Sequence, residues 1–523
     1  MKKTFTLLFF VFATGTNAFT QIQLKAQKTI GGNHEDILNV FALTKDGGMI
    51  LAGSSNSGIS GDKTEAAVED HDFWFVKLGA KGQIQWQTDL DEWDKDRINA
   101  IEQTADGGYI AAGGTAGWYE SDDMTRYEIF KLDSQGNEEW RNVGYSLLYC
   151  VKQTFDGGYI FGGSKKIYSG EDYETDYLLT KYDAHGNILW SKSFGELPYE
   201  SIRNITLTED GGFLLGGISA SFDNETDTTK RVPPDYSIFK TDSLGNIQWS
   251  KYIGGYLSDI LTTTVYTKDG GCLLAGSSTS NRSGDKTENN RGSRTNDYWV
   301  VKLNSKGKVV WDKTIGGSKD DNLTSTMQTK DGGYILGGYS SSGVSGDKTE
   351  ASKGGFEGYD YWVVKLSRHG NIEWDKTIGT AEDDKLGAVL EKSNNTYVVG
   401  GYTYAGMSGD KTDTSRGYVD FWLINLIAKD QAPLIAQNNT SGLNTLPLPK
   451  VQSWVIYPNP AKDILHIQTT GKATITLTDQ QGKTILTKTI NGNGIINITQ
   501  LPAGLYYVKN YATGEIKKIL ISK

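Results

Sequence analysis

The 523-residue chain is poor in cysteine (2), proline (9) and histidine (5). Two cysteines, Cys150 and Cys272, more than two repeats apart, cannot supply a disulfide framework. They read as small buried hydrophobes. Scarce proline with 63 glycines excludes a proline-rich disordered chain and leaves many tight turns between short strands. Positive charge is also short: 53 Lys and Arg against 63 Asp and Glu give a net charge of −10. No basic run occurs in the body, so nucleic acid is excluded as a partner, since neutralising phosphates takes a Lys/Arg stripe. No nucleophile elbow, phosphate loop, zinc spacing or dinucleotide fingerprint stands in a supporting context. No stretch reaches the roughly 18 apolar residues of a membrane-spanning helix. The apolar run at 5–13 follows Met1-Lys2-Lys3 and precedes Thr16-Asn17-Ala18, the pattern of a secretory signal over 1–18.

What is present is a repeat. Asp-Gly-Gly stands at Asp46, Asp106, Asp156, Asp210, Asp269 and Asp331, and a worn seventh copy reads Asn394-Asn395-Thr396, at intervals of 50 to 63 residues. Periods of this size belong to propellers, solenoids or arrays. Around Asp331 the pattern predicts strand A over 323–330, B over 334–339, C over 360–366 and D over 372–378. The strand-D tryptophans Trp86, Trp190, Trp249, Trp311 and Trp374 each precede the next Asp-Gly-Gly position by 20 residues; after Trp140 the interval is 16. Length varies between B and C, so the insertions map to one edge. The seventh copy lacks a strand D, and 23–32 matches 372–379 with Ala26 at the tryptophan position. The expectation is an all-β fold: a seven-bladed β-propeller over 19–427 whose N-terminal strand completes the last blade, leaving few open sheet edges. A linker is expected over 428–453, then a C-terminal Ig-like β-sandwich over 454–523.

The order of turn and aromatic in each repeat resembles WD-repeat propellers in architecture, although that family's Gly-His and Trp-Asp signatures are absent. The repeats are more similar to the Asp-Gly-Gly type of secreted Bacteroidetes-like proteins. In the tail, Tyr457-Pro458-Asn459-Pro460, the late segment 501–508 with Gly504 and Tyr506, and the closing basic-apolar strand 517–521 resemble the type A C-terminal sorting domain of the type IX secretion system. That resemblance implies handling by the type IX machinery, passage through the periplasm, and release from or attachment to the outer-membrane surface.

Candidate binding residues fall on the variable edge. Asp62, Asp285, Asp347 and Asp410 sit in Gly-Asp-Lys-Thr loops that offer carboxylate and carbonyl oxygens to calcium; the competing reading is a solvated Asx turn. No other cofactor is expected. Trp93, Trp118 and Tyr119 are irregular aromatics suited to carbohydrate. Strand-C Lys77, Lys131, Lys181, Lys240, Lys302 and Lys365 recur with the frame and read as packing. For catalysis, His34 and His71, with Asp36, are the available general-base or metal set. Three functions stay open: a secreted or surface module binding glycan or protein, a polysaccharide hydrolase or lyase, and a structural adhesion or spacer protein.

Overall fold

The computed structural model describes residues 21–68, 71–90, 96–115, 126–169, 172–220, 222–224, 227–231, 233–355, 358–429, 454–457, 461–479, 483–511 and 516–522. The expected leader at 1–18 and linker residues 430–453 lie outside them. Every regular element described is a β-strand. The chain divides into two compact units, Met1–Leu434 and Ile435–Lys523.

In the first unit all described strands but a short hairpin, Phe222–Asn224 with Asp227–Arg231, fall into antiparallel four-stranded meanders. Meander 1 runs through Asp36–Leu43 (A), Met49–Ser55 (B), Asp72–Leu78 (C) and Ile84–Leu90 (D). Meanders 2 to 5 follow over 96–145, 147–194, 199–253 and 259–315, and a single parallel pairing, Thr175 with Tyr199, joins meanders 3 and 4 into one eight-stranded sheet. Meander 6 is Asp321–Gln328, Tyr334–Ser340, Asp360–Leu366 and Ile372–Ile378, within two residues of the strands expected from sequence. Meander 7 has Asp384–Ser393, Thr396–Thr403 and Asp420–Lys429, and its fourth strand is Gln21–Ile30, antiparallel to Asp420–Lys429. The side chains corroborate that register. Trp74, Trp299 and Trp362 donate their indole N–H to Gln87, Asp312 and Asp375 of strand D, at 3.1, 3.1 and 3.0 Å. Trp422 donates to Gln27 of the N-terminal strand at 3.2 Å.

The Asp-Gly-Gly turn is built the same way each time. Asp46 Oδ1 accepts the Gly48 N–H at 2.9 Å and the Thr44 hydroxyl. The middle glycine has positive φ, from 78° at Gly270 to 90° at Gly107, which only glycine adopts without strain. In the worn copy Asn395 takes that place at φ 58°, asparagine being tolerant of this region. The strand-C lysines reach back to these turns: Lys77 to Asp46 at 2.8 Å, Lys131 to Asp106 at 3.0 Å, Lys181 to Asp156 at 2.9 Å, Lys240 to Asp210 at 2.8 Å, Lys302 to Asp269 at 3.0 Å and Lys365 to Asp331 at 2.9 Å. Each ammonium also donates to the next backbone carbonyl, as Lys365 does to Leu366 at 3.0 Å. The motif is thus an ion-paired clasp that ties the A–B turn to strand C.

Strands B and C of meanders 1 and 5 are buried along their whole length, so both faces of a meander need cover. Consecutive meanders supply it. Leu273, Tyr298 and Val300 of meander 5 pack with Tyr334, Leu336 and Trp362 of meander 6. Meanders 6 and 7 share a core through Tyr361, Val389 and Trp422. Meander 7 shares one with meander 1, where Phe421 and Leu423 meet Phe41, Leu51 and Trp74. The start of strand A is also stitched to the preceding meander by a backbone hydrogen bond: Asp259 N–H to Pro234, Asp321 N–H to Asn296 and Asp384 N–H to Tyr359, each 2.7 Å, and Asp36 N–H to Val419 at 2.8 Å.

The second unit is one five-stranded sheet, Trp454–Tyr457, Ile464–Thr478, Thr484–Asn497, Gly504–Asn510 and Ile516–Ile521. The sequence pattern predicts breaks near 470 and at Asn491-Gly492-Asn493-Gly494. Instead two long strands run through, with a register shift between Gln468 and Lys472. A bulge lets a strand turn without ending, which a turn-like composition does not distinguish from a hairpin. Both cysteines are free and buried.

The clasp gives a stability prediction. Asp331→Ala leaves the buried Lys365 ammonium with one carboxylate fewer and removes the turn's acceptor. It should lower unfolding free energy by about 1–3 kcal/mol, read from urea denaturation of the full chain. Asp331→Asn keeps the acceptor and should lose less.

Candidate functional site

The Gly-Asp-Lys-Thr loops turn out to be latches between meanders. Asp62 Oδ2 accepts the N–H of Gly31 at 3.4 Å, Asp285 that of Gly254 at 3.3 Å, and Asp347 and Asp410 those of Gly316 and Gly379 at 3.2 Å. In each case the glycine ends strand D of the preceding meander. Arg291 and Arg416 add guanidinium bonds to Asp347 (2.8 Å) and Asp62 (3.2 Å). The loop glycines Gly61, Gly284, Gly346 and Gly409 have φ of 54–57°, and a Cβ on any of them would press on a backbone carbonyl. Lys63, Lys286, Lys348 and Lys411 are buried beneath the loops: Lys63 pairs with Asp89, and Lys286 and Lys348 reach Ser278 and Ser340 at 2.7 and 3.0 Å. The four aspartates proposed as calcium ligands therefore have N–H donors on them. Among the described residues no cluster of three or more metal-ligating side chains occurs.

The other acidic pattern resolves by depth. Where two carboxylates are adjacent, the second is buried and caps strand A. Asp36 accepts the Gly32 N–H at 2.6 Å and the Ser57 hydroxyl at 3.0 Å; Asp321 accepts Gly317 N–H at 2.6 Å. Each lies beside the first residue of strand C in the previous meander, which is also acidic: Asp36 by Asp420, Asp259 by Asp235, Asp321 by Asp297 and Asp384 by Asp360. Burial, with the neighbouring carboxylate adding to it, pushes Asp235, Asp297 and Asp384 up to about 7. The first carboxylates, Glu35, Asp320 and Asp383, are partly exposed, and Asp320 and Asp383 each accept one backbone N–H, from Asn296 at 2.9 Å and from Tyr359 at 3.0 Å. Glu35 pairs with His71 (Nε2 to Oε2, 3.3 Å). His34 is exposed, and the Asp36 carboxylate is occupied as described.

Beside Glu35 the structure assembles a group that the sequence pattern did not single out. Tyr339 and Tyr359 meet edge to face at 5.2 Å, Tyr402 and Tyr404 lie 6.0 Å apart, and Tyr404 and Tyr418 lie 5.7 Å apart. The Lys385 ammonium stands 5.9 and 5.5 Å from the Tyr339 and Tyr359 rings. Asp383 accepts the Tyr359 N–H at 3.0 Å. Burial raises the Tyr402 hydroxyl to about 12, with Tyr404, Tyr339, Arg97 and Asp383 in its field; Tyr404 feels Glu35. Residues from meanders 1, 2, 6 and 7 thus converge at the ends of strands B. Tyr418 is well exposed, and Tyr339, Tyr359, Tyr402 and Tyr404 are half-buried, so ring faces and edges are presented together with one ammonium, one guanidinium and three carboxylates. Trp93, Trp118 and Tyr119 lie outside the described residues.

In the tail unit, Tyr457 closes the strand Trp454–Tyr457, Gly504 opens Gly504–Asn510, and Tyr506 is buried with its hydroxyl donating to Pro502 at 3.0 Å. Lys517 lies over the Trp454 ring at 5.2 Å and donates to its carbonyl at 2.9 Å. Pro458, Asn459 and Pro460 lie outside the described residues.

Residues 455–522 match the family model of the secretion system C-terminal sorting domain. The chain therefore carries a type IX secretion tail, handled by that machinery and directing export through the periplasm to the cell surface or the extracellular space. Over 209 residues, 38% of its length, the chain is 24% identical to the regulatory protein FlaEY of Caulobacter vibrioides, and it spans 22% of that relative. Similar solved structures include a protein of unknown function from Bacteroides caccae (13% identity, 63% of this chain and 93% of that one, TM-score 0.35). Sqt1 from Chaetomium thermophilum (11%, 79% and 100%, TM-score 0.40) is another. A third is the PQQ-bound aldose sugar dehydrogenase of Streptomyces coelicolor (9%, 79% and 99%, TM-score 0.34).

The acid pairs set a pH dependence. A carboxyl held at about 7 in the fold and near 4 when unfolded stabilises fully below about pH 4, and that contribution is lost as pH rises through 7. The clasp aspartates act oppositely. Their hydrogen bond to lysine holds Asp46 and Asp210 at about 2, so their contribution is lost as pH falls through that value. Urea midpoints should peak near pH 4–5 and decline toward neutrality, and Asp297→Asn should flatten the decline.

Proposed function

We propose that the first unit is a seven-bladed β-propeller closed by its N-terminal strand, spanning 19–429 behind a leader at 1–18 and joined by a linker at 430–453 to the sorting domain at 454–523. It is a carbohydrate-binding module of the cell surface or extracellular space. The closure reading is supported by Gln21–Ile30 completing meander 7 and by the core that meanders 7 and 1 share. The binding reading rests on one observation: five tyrosines gathered at one edge with Lys385, Arg97 and the partly exposed carboxylates Glu35, Asp320 and Asp383. Aromatic faces cover the apolar faces of sugar rings, while ammonium and carboxylate groups bond the hydroxyls around the ring edge. The acidic balance of the chain suits a neutral or basic glycan over a polyanion.

The test is binding of the full chain to a panel of neutral and amino-sugar polysaccharides. Tyr359→Ala and Tyr404→Ala should each weaken the bound member about tenfold, while Asp331→Asn leaves affinity unchanged. Equal binding by wild type and both tyrosine variants would refute the site. Release of shortened sugars by wild type, lost in His71→Ala, would establish the polysaccharide-cleaving alternative instead.

A further inference from the structure

The repeat places an aromatic pair at one junction after another. The strand-D tryptophan of one meander meets the ring that follows Asp-Gly-Gly in the next: Trp86 with Tyr109 at 5.5 Å, Trp140 with Tyr159 at 5.9 Å, Trp190 with Phe213 at 6.5 Å, Trp311 with Tyr334 at 6.1 Å and Trp374 with Tyr397 at 5.6 Å. Between meanders 4 and 5 the tryptophan is present as Trp249, but the ring position is Cys272. Among the described ring contacts Trp249 has none.

The other side of that tryptophan is looser as well. The C–D turn glycine of the next meander normally packs on it: a Cβ on Gly136, Gly186, Gly245 or Gly370 would stand 2.6, 3.0, 2.8 or 3.0 Å from the indole. At Gly307 the distance to Trp249 is 3.7 Å. A cavity of about 330 Å³ opens at this junction. Trp249 and Tyr266 stand on its walls, Leu214 and Cys272 line it, and the Asp210–Lys240 clasp stands at its edge. Tyr266 is the cross-strand partner of Cys272. It brings an aromatic ring to the neighbourhood without filling the vacated space.

We propose that this cavity is a binding site for a small phenolic molecule, whose ring takes the place that tyrosine occupies at four other junctions. The chemistry follows from those tyrosines. The Tyr109, Tyr159 and Tyr334 hydroxyls lie in the field of the preceding clasp aspartates, Asp46, Asp106 and Asp269. A phenol against Trp249 brings its hydroxyl near Asp210, as those tyrosine hydroxyls lie near their aspartates. Leu214 and Cys272 remove the ring from water. A cleft of this size is at the lower end of small-molecule sites. The site opens at the A–B and C–D turns, the opposite strand ends from the tyrosine group, and so is independent of carbohydrate binding.

The experiment uses the full chain and para-cresol, with cyclohexanol as the non-aromatic control, followed by saturation-transfer NMR and by quenching of tryptophan fluorescence. Wild type and Cys272→Ser should bind para-cresol and not cyclohexanol. Cys272→Tyr restores the repeat's own residue, and it should cut affinity at least about tenfold while keeping or raising the thermal midpoint. Trp249→Leu, which leaves the clasp intact, should also lose binding. Absence of para-cresol transfer in wild type, or undiminished transfer in a folded Cys272→Tyr, overturns the proposal.

Discussion

A four-stranded meander with two apolar faces has no stable existence alone, and that constraint governs this chain. Strand B of meander 1 is Met-Ile-Leu-Ala-Gly-Ser-Ser, buried at each residue. Alternate side chains enter different cores: Ile50 and Ala52 join meander 2, while Met49 and Leu51 join meander 7. Each side chain lost from such a core costs about 2–5 kcal/mol, so a meander with one uncovered face is untenable. The sequence meets the demand by making every unit both donor and acceptor of the same surface.

Polar groups at the junctions work within the same constraint. The Gly-Asp-Lys-Thr loop buries a lysine beneath itself and lends an aspartate to the glycine that ends the previous meander. The aspartate accepts that glycine N–H through one carboxylate oxygen, so the loop fastens one meander to the next. The buried acid pairs have a cost: they hold carboxyls at a pKa where the proton competes with neutral pH.

Local features were legible in the sequence. The Asp-Gly-Gly turns, the strands of meander 6 and the role of Gln21–Ile30 follow from spacing, because each depends on residues close along the chain or on an obvious missing strand. The tyrosine group was not legible. Arg97, Tyr339 and Tyr418 stand on meanders 2, 6 and 7, and nothing local marks them as neighbours. Choosing aromatics for their irregularity led instead to Trp93, Trp118 and Tyr119, outside the described residues. Asp36 looked available because it adjoins two histidines, but the strand-A start turns it inward. Cys272 is buried, as its sequence predicts; its place after Asp-Gly-Gly, where other copies carry an aromatic ring, is legible in the sequence, while the cleft beside it is not. In the tail, glycines at a bulge imitated a turn, since both need the same backbone freedom.

The account stands on Gln21–Ile30 being the fourth strand of meander 7. The register sets Gln23 opposite Ile427. With Cys150 and Cys272 changed to serine, Gln23→Cys with Ile427→Cys should form a disulfide on air oxidation and raise the urea midpoint over the reduced protein. A one-residue offset, Gln23→Cys with Leu426→Cys, should not. Free thiols in the first pair, or equal crosslinking in both, would contradict the closing strand and the architecture built on it.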